Sequence, residues 1–151
     1  MHDFTGQAHT LENLGSLAGG KNDAILPHGI TVFIVEDDDA ARHSLAASLE
    51  ALGCSVRTFA SCEAFFAQVE QVGPGCLLLD YHFEGISGLE LLELLGGAGI
   101  SIPTVLFTGR FGALLRHRAV EFPSIVAILD KPLEGRQVLT ALYRACRDFN
   151  L

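Results

Sequence analysis

The chain has 151 residues, 49% of them hydrophobic and 19% charged, with four Cys and no Trp. A chain of this length buries roughly two thirds of its unfolded surface without disulfides or a metal, and its composition excludes a disordered or fibrous protein. Its formal charge of −8 argues against nucleic acid or an anionic membrane as a partner held by bulk electrostatics.

The N-terminal residues Met1–Thr5 lack a basic region followed by an apolar core, so they do not read as a secretory signal. No apolar run approaches the roughly 20 residues of a membrane span, and the expected location is cytoplasmic. Residues 1–29 form a polar extension with four glycines after residue 14 and no sustained period. They read as a loose tail, although Thr10 is placed to cap a short helix over Leu11, Leu14 and Leu17.

At Ile30 the pattern changes. Ile30–Val35 is a β-type run that ends in Glu36, Asp37, Asp38 and Asp39. Four adjacent carboxylates repel one another, so the run needs a reason; Asp38 or Asp39 suits the N-cap of the next helix. That helix carries Ala41, Leu45, Leu49 and Leu52 on one face. Ser55–Phe59 is a second strand. Ser61 then caps a helix over Phe65, Phe66, Val69 and Val72, stopped by Gly73-Pro74-Gly75. Cys76–Leu79 is the third strand, followed by a Leu89, Leu92, Leu95 stripe that ends at Gly96-Gly97. Thr104–Phe107 is the fourth strand and Gly112–Phe122 a weaker helix. Ile125–Leu129 is the fifth strand, and a last helix runs from about Leu133 to Phe149. Five strands alternating with five helices predict an α/β fold with a parallel sheet and right-handed crossovers. Most strands are apolar on both faces, as strands covered on both sides are. The leucine stripes read as core packing.

Cys54, Cys62, Cys76 and Cys146 show no C-x-x-C spacing and do not cluster with the six His residues. They are expected to be buried free thiols, forming neither a zinc site nor a disulfide framework.

Ligands of open α/β sheets bind beyond the carboxyl ends of the strands. The first strand ends at Glu36-Asp37, the third at Asp80, the fourth at Thr108, and the fifth runs into Asp130-Lys131-Pro132. Three neighbouring carboxylates need a compensating charge. Mg²⁺, a hard cation with oxygen ligands, supplies it. Lys131 adds a positive group that pairs with phosphate, and Thr108 a hydroxyl donor. Together they suit phosphoryl transfer onto a carboxylate.

Val35-Glu36-Asp37-Asp38, Leu78-Leu79-Asp80, Phe83-Glu84-Gly85-Ile86-Ser87-Gly88-Leu89-Glu90-Leu91, Phe107-Thr108-Gly109 and Leu129-Asp130-Lys131-Pro132 resemble the motifs of bacterial two-component response-regulator receiver domains. The likeness covers roughly residues 30–151, and its wording is most similar to receivers of the nitrogen-fixation, FixJ-like type. It implies a flavodoxin-like, doubly wound five-stranded parallel sheet of order 2-1-3-4-5. It also implies that Asp80 accepts a phosphoryl group from a histidine kinase or histidine phosphotransfer protein. Glu36, Asp37, Asp80 and the backbone carbonyl of His82 would hold Mg²⁺, with the His82 side chain bordering the site. Lys131 would hold the phosphoryl oxygens, with a frequently cis bond to Pro132, and Thr108 would turn toward them as a switch.

Three positions depart from that pattern. Ile128 stands where the family usually has an aromatic partner to the Thr, Glu84 where Pro is common, and Glu36 where Asp is usual. No output domain follows, so the expected protein is a single-domain regulator that signals through a protein partner docked on residues 112–149. Five Arg there (Arg116, Arg118, Arg136, Arg144 and Arg147) fit an acidic surface, or simply a solvated face. The chain is not expected to be an enzyme. A haloacid-dehalogenase-like phosphatase would need a second Asp where His82 stands. The remaining alternative is a receiver-like interaction module that works without phosphorylation.

Overall fold

The structure, a computed structural model, describes residues 26–82, 85–109 and 112–151. Most of the N-terminal extension, with the helix considered at Thr10, lies outside the described residues, as do Phe83 and Glu84.

The strands are β1 (Thr31–Val35), β2 (Ser55–Phe59), β3 (Gly75–Asp80), β4 (Thr104–Thr108) and β5 (Ile125–Asp130). The helices are α1 (Asp39–Ala51), α2 (Cys62–Gln68), α3 (Gly88–Gly97), α4 (Gly112–Ala119) and α5 (Gly135–Asp148), with a 3₁₀ turn at Val69–Gln71. All strand pairs are parallel, and the sheet order is β2-β1-β3-β4-β5. The doubly wound fold and its order are therefore as expected. Among the described residues, no helix is long and apolar enough to cross a membrane.

Strand alternation divides the core into two layers. On one face Val32, Ile34, Cys76, Leu78, Val105 and Phe107 meet Leu49 of α1 and Val138, Leu142 and Cys146 of α5. On the other, Phe33, Val35, Leu77, Leu79 and Leu106 meet Phe65 of α2, Leu91 and Leu95 of α3 and Leu115 of α4. β1, β3 and β4 are almost wholly buried, whereas β2 and β5 lie at the edges and are partly open. Leu26 packs against the first layer.

Local chemistry starts the helices. The side chain of Asp38 accepts from the Ala41 N–H at 2.8 Å, and Ser61 Oγ accepts from Ala64 N–H at 3.0 Å. Ser87 and Glu90 form a reciprocal capping box at the start of α3.

The ends differ from expectation in four places. The second helix tightens to 3₁₀ after Gln68, before Gly73 at φ +81°. Gly75, expected in the stop signal, is the first residue of β3, where a Cβ would lie 2.2 Å from the Thr31 carbonyl oxygen and 2.4 Å from the Phe33 ring. The fourth helix stops at Ala119 because the Phe122 N–H bonds to its carbonyl in a turn that seats Phe122 against the second layer. α5 begins only at Gly135, since Glu134 is still extended.

β5 carries one irregularity. Thr104 pairs with Ile125 but Val105 pairs with Ala127, so one residue of β5 is skipped.

Candidate functional site

The register of the sheet places the polar strand ends side by side. Val35 pairs with Leu79, so Glu36 and Asp80 leave adjacent strands at one level. Asp80 pairs with Phe107, and Thr108 with Asp130. The Lys131 N–H then bonds to the Thr108 carbonyl at 2.9 Å, which brings the lysine back over the site. The Lys131–Pro132 peptide bond is cis.

Asp80 is 3% exposed. Its Oδ2 accepts from Lys131 Nζ at 3.1 Å, and its Oδ1 from the His82 N–H at 3.2 Å. Glu36 is 2% exposed. Its Oε2 accepts from the Asp38 N–H at 3.0 Å, and its Oε1 lies 3.8 Å from Lys131 Nζ. Arg42 from α1 donates to the Glu36 carbonyl and pairs with Asp39, so part of the acidic run is neutralised locally. Asp37 is exposed. One carboxylate oxygen from each of Glu36, Asp37 and Asp80 lies within 4.8 Å of the others.

Lys131 cannot serve three carboxylates. Burial pushes the Glu36 carboxyl up to about 7; Asp80 and Asp37 add to the rise, and the Asp38 N–H and Lys131 oppose it. The Lys131 ammonium loses some hydration on burial, but the bond to Asp80 and the charges of Glu36 and Asp37 outweigh that loss and raise it. A buried Glu36 carboxyl whose ionisation is disfavoured, beside Asp80 and an exposed oxygen donor from Asp37, is a donor set short of positive charge. It fits a hard divalent cation of the Mg²⁺ kind, which takes a few carboxylates and keeps several waters.

Lys131 Nζ also sits 5.4 Å from the centre of the Phe107 ring. Thr108 is 1% exposed at the end of β4. Gly109 follows it, and a Cβ there would only touch the Lys131 stem, at 3.6 Å. A cleft of about 530 Å³ opens beside Lys131, lined by Glu36, Phe107, Pro132 and Leu133 with Ala41 and Ser44 of α1.

The structure thus brings Glu36, Asp37, Asp80, Thr108 and Lys131 to one rim. His82 is exposed, its ring edge-on to Tyr81. Ile128 lies lower in β5, packed against the second core layer, and its carbonyl accepts from Arg116 at 3.2 Å. Of the arginines of the last third, Arg116, Arg118 and Arg136 are exposed. Arg116 pairs with Asp130 at 3.7 Å, Arg147 with Asp148 at 3.9 Å, and Arg144 is half-buried against the Val126 carbonyl.

One residue of the site had no chemical signature in the sequence. Gly88 starts α3 against the end of β3, where a Cβ would lie 2.8 Å from the Asp80 carbonyl oxygen. Its own N–H bonds to the Tyr81 carbonyl at 3.1 Å, closing the loop beside Asp80. The signal was positional: a Gly directly after a helix-capping Ser87.

Comparison with known proteins agrees with this geometry. Residues 32–143 match the family described as "Response regulator receiver domain". The chain is 36% identical over 115 residues to the transcriptional regulatory protein FixJ of Rhizobium meliloti, covering 76% of this chain and 56% of that protein. It is 32% identical over 117 residues to FixJ of Azorhizobium caulinodans, covering 78% and 55%. It therefore spans about half the length of these relatives. Among solved structures, that of FixJ-N superposes with a TM-score of 0.75 at 34% identity, covering 80% of this chain and 96% of the other.

Proposed function

Since the chain belongs to the response regulator receiver domain family, we propose that it is a signalling receiver phosphorylated on Asp80 in the presence of Mg²⁺. The observation that carries this is the pairing of Asp80 with Lys131 at 3.1 Å inside a ring of carboxylates at the open end of the sheet. Glu36, Asp37 and Asp80 would hold the cation with the His82 backbone carbonyl. When bound, Mg²⁺ supplies positive charge that offsets the carboxylates and the phosphoryl oxygens.

An Asp80 oxygen attacks the phosphorus of a phosphohistidine on a histidine kinase or phosphotransfer protein. The P–N bond breaks, the imidazole leaves, and an acyl phosphate remains on Asp80. Lys131, already hydrogen-bonded to the Asp80 carboxylate, turns its ammonium to pair with a phosphoryl oxygen as the carboxylate charge is lost. Thr108, one strand over, donates its hydroxyl to another. The hydrogen bond that the His82 N–H donates to Asp80 Oδ1 fixes the carboxyl plane, leaving Oδ2, which faces Lys131 and the rim, for attack. The chain acts as phosphoacceptor, and output runs through a protein bound on residues 112–149.

Incubation with Mg²⁺ and acetyl phosphate tests this. A hydroxylamine-labile phosphoryl label is expected on the wild type and none on Asp80→Asn. Equal label on both, or none on either, would overturn the assignment.

A second reading rests on Ile128, which is aliphatic and packed into the core layer where the family usually has an aromatic. In that reading the module binds its partner without phosphorylation. Partner binding unchanged by Mg²⁺ and beryllofluoride would favour it over the first.

A further inference from the structure

The acidic rim uses none of the four cysteines, yet two of them touch. Cys76 is the second residue of β3 and Cys146 lies in the last turn of α5, 70 residues apart in sequence. Their Sγ atoms are 2.8 Å apart, the side chains 0% and 1% exposed. From this juxtaposition we propose that Cys76 and Cys146 are an oxidisable dithiol, closed to a disulfide by a peroxide.

Two neighbouring sulfurs on different elements need little movement to reach the roughly 2.05 Å of a disulfide. The thiols are also unequal. The hydrogen bond between the two thiols lowers the Cys146 thiol against the opposing effect of burial. The same bond, with burial, raises Cys76. Cys146 lies in the helix end that opens more readily than the central strand, which makes it the attacking thiol and Cys76 the resolving one. The other two are differently placed. Cys62 is buried on the opposite face of the sheet, near the Ser87 carbonyl, and burial pushes its thiol up to about 12. Cys54 is half-buried, and burial raises its thiol, with a further rise from Cys146.

The chemistry balances with hydrogen peroxide as oxidant. The Cys146 thiolate attacks one peroxide oxygen, the O–O bond breaks, and hydroxide leaves with the Cys146 proton as water. Cys146 is then a sulfenic acid. The Cys76 sulfur attacks the Cys146 sulfur, the S–O bond breaks, and hydroxide takes the Cys76 proton as a second water. Two thiols and one peroxide become one disulfide and two waters. Peroxide reaches Cys146 through opening of the last turn of α5, since helix ends open at low cost relative to the core. The product ties α5 covalently to the strand whose other end carries Asp80.

The test uses the full chain, reduced and freed of reductant, then treated with hydrogen peroxide. Remaining thiols are alkylated, and the protein is digested without reduction for mass spectrometry. Alkylatable thiols are expected to fall from four to two, with the loss of two hydrogens and one cross-linked peptide pair joining Cys76 to Cys146. Dithiothreitol should restore all four. Cys76→Ser and Cys146→Ser, each checked for native circular dichroism, should form no internal bridge. A bridge that uses Cys54 or Cys62 would overturn the proposal. So would retention of four thiols under conditions where amide exchange shows the last turn of α5 opening, or oxidation of Cys146 that stops short of a bridge.

Discussion

Glu36 offers a direct measure of the charge imbalance at the rim. In the folded chain its carboxyl is raised from an ordinary 4.5 to about 7, chiefly by burial. Between those values the folded state binds a proton that the unfolded state has released. Stability from this group is therefore fully present below about pH 4.5 and lost as pH rises through 7. A rise of that size corresponds to roughly 3 kcal/mol, at about 1.4 kcal/mol per pH unit. Because Glu36 is 2% exposed, solvent screening removes little of it. Glu36→Gln keeps an oxygen for the Asp38 N–H and takes away the titration. Urea unfolding of both proteins in EDTA, from pH 5 to pH 8, isolates the effect from the histidines, which titrate in both. The variant should be close to the wild type at pH 5 and more stable by roughly 3 kcal/mol at pH 8. Mg²⁺ at pH 8 should narrow the gap, since a cation favours the charged carboxyl. A constant offset between the two proteins across the whole range would refute the reasoning.

Other consequences are as open to measurement. Gly75→Ala should destabilise the chain by about 3 kcal/mol or more, because the added methyl meets the Thr31 backbone and the Phe33 ring. Gly97→Ala, with nothing within 4 Å of the new Cβ and a helical backbone, should instead stabilise by roughly 0.5–1 kcal/mol; equal effects in urea melts would contradict the packing at Gly75. Phe65→Ala should cost about 3–5 kcal/mol, since Phe65 is fully buried between the Phe33 and Phe59 rings at 5.6 and 5.1 Å; thermal or chemical denaturation reads it. Asp38→Ala removes the cap of α1 and should cost about 1 kcal/mol, seen as a lower urea midpoint at unchanged m-value.

Much of this architecture was legible because its signals are local. A run of apolar residues closing on acids, a Ser or Asp before a helical stripe, and a Gly pair after one each act within a few residues. The rim was legible for a related reason: in a parallel sheet all strand ends of one kind lie together, so Glu36, Asp37, Asp80, Thr108 and Lys131 needed no long-range information. What stayed hidden depends on who sits opposite whom. Gly75 looks like part of a stop signal until β1 lies beside it. Ile125–Leu129 reads as apolar on both faces, yet β5 is an edge strand and stays partly open. Glu36 and Asp37 are adjacent in sequence, but one is buried and the other is not. Cys76 and Cys146 carry no spacing motif, and only the packing of α5 on β3 makes them neighbours.

The skipped residue in β5 acts as a phase corrector. Val126 and Ala127 both face the first core layer, after which alternation resumes with Ile128 toward the second layer and Leu129 toward the first. Had the same residues paired without the skip, Thr108 would pair with Leu129 in place of Asp130, and every side chain beyond it would be turned to the other side of the sheet. Lys131 would then leave the strand one step late and facing away from Asp80. A single surplus residue at the entry to β5, about as far from the rim as the strand allows, sets the side from which the ammonium arrives.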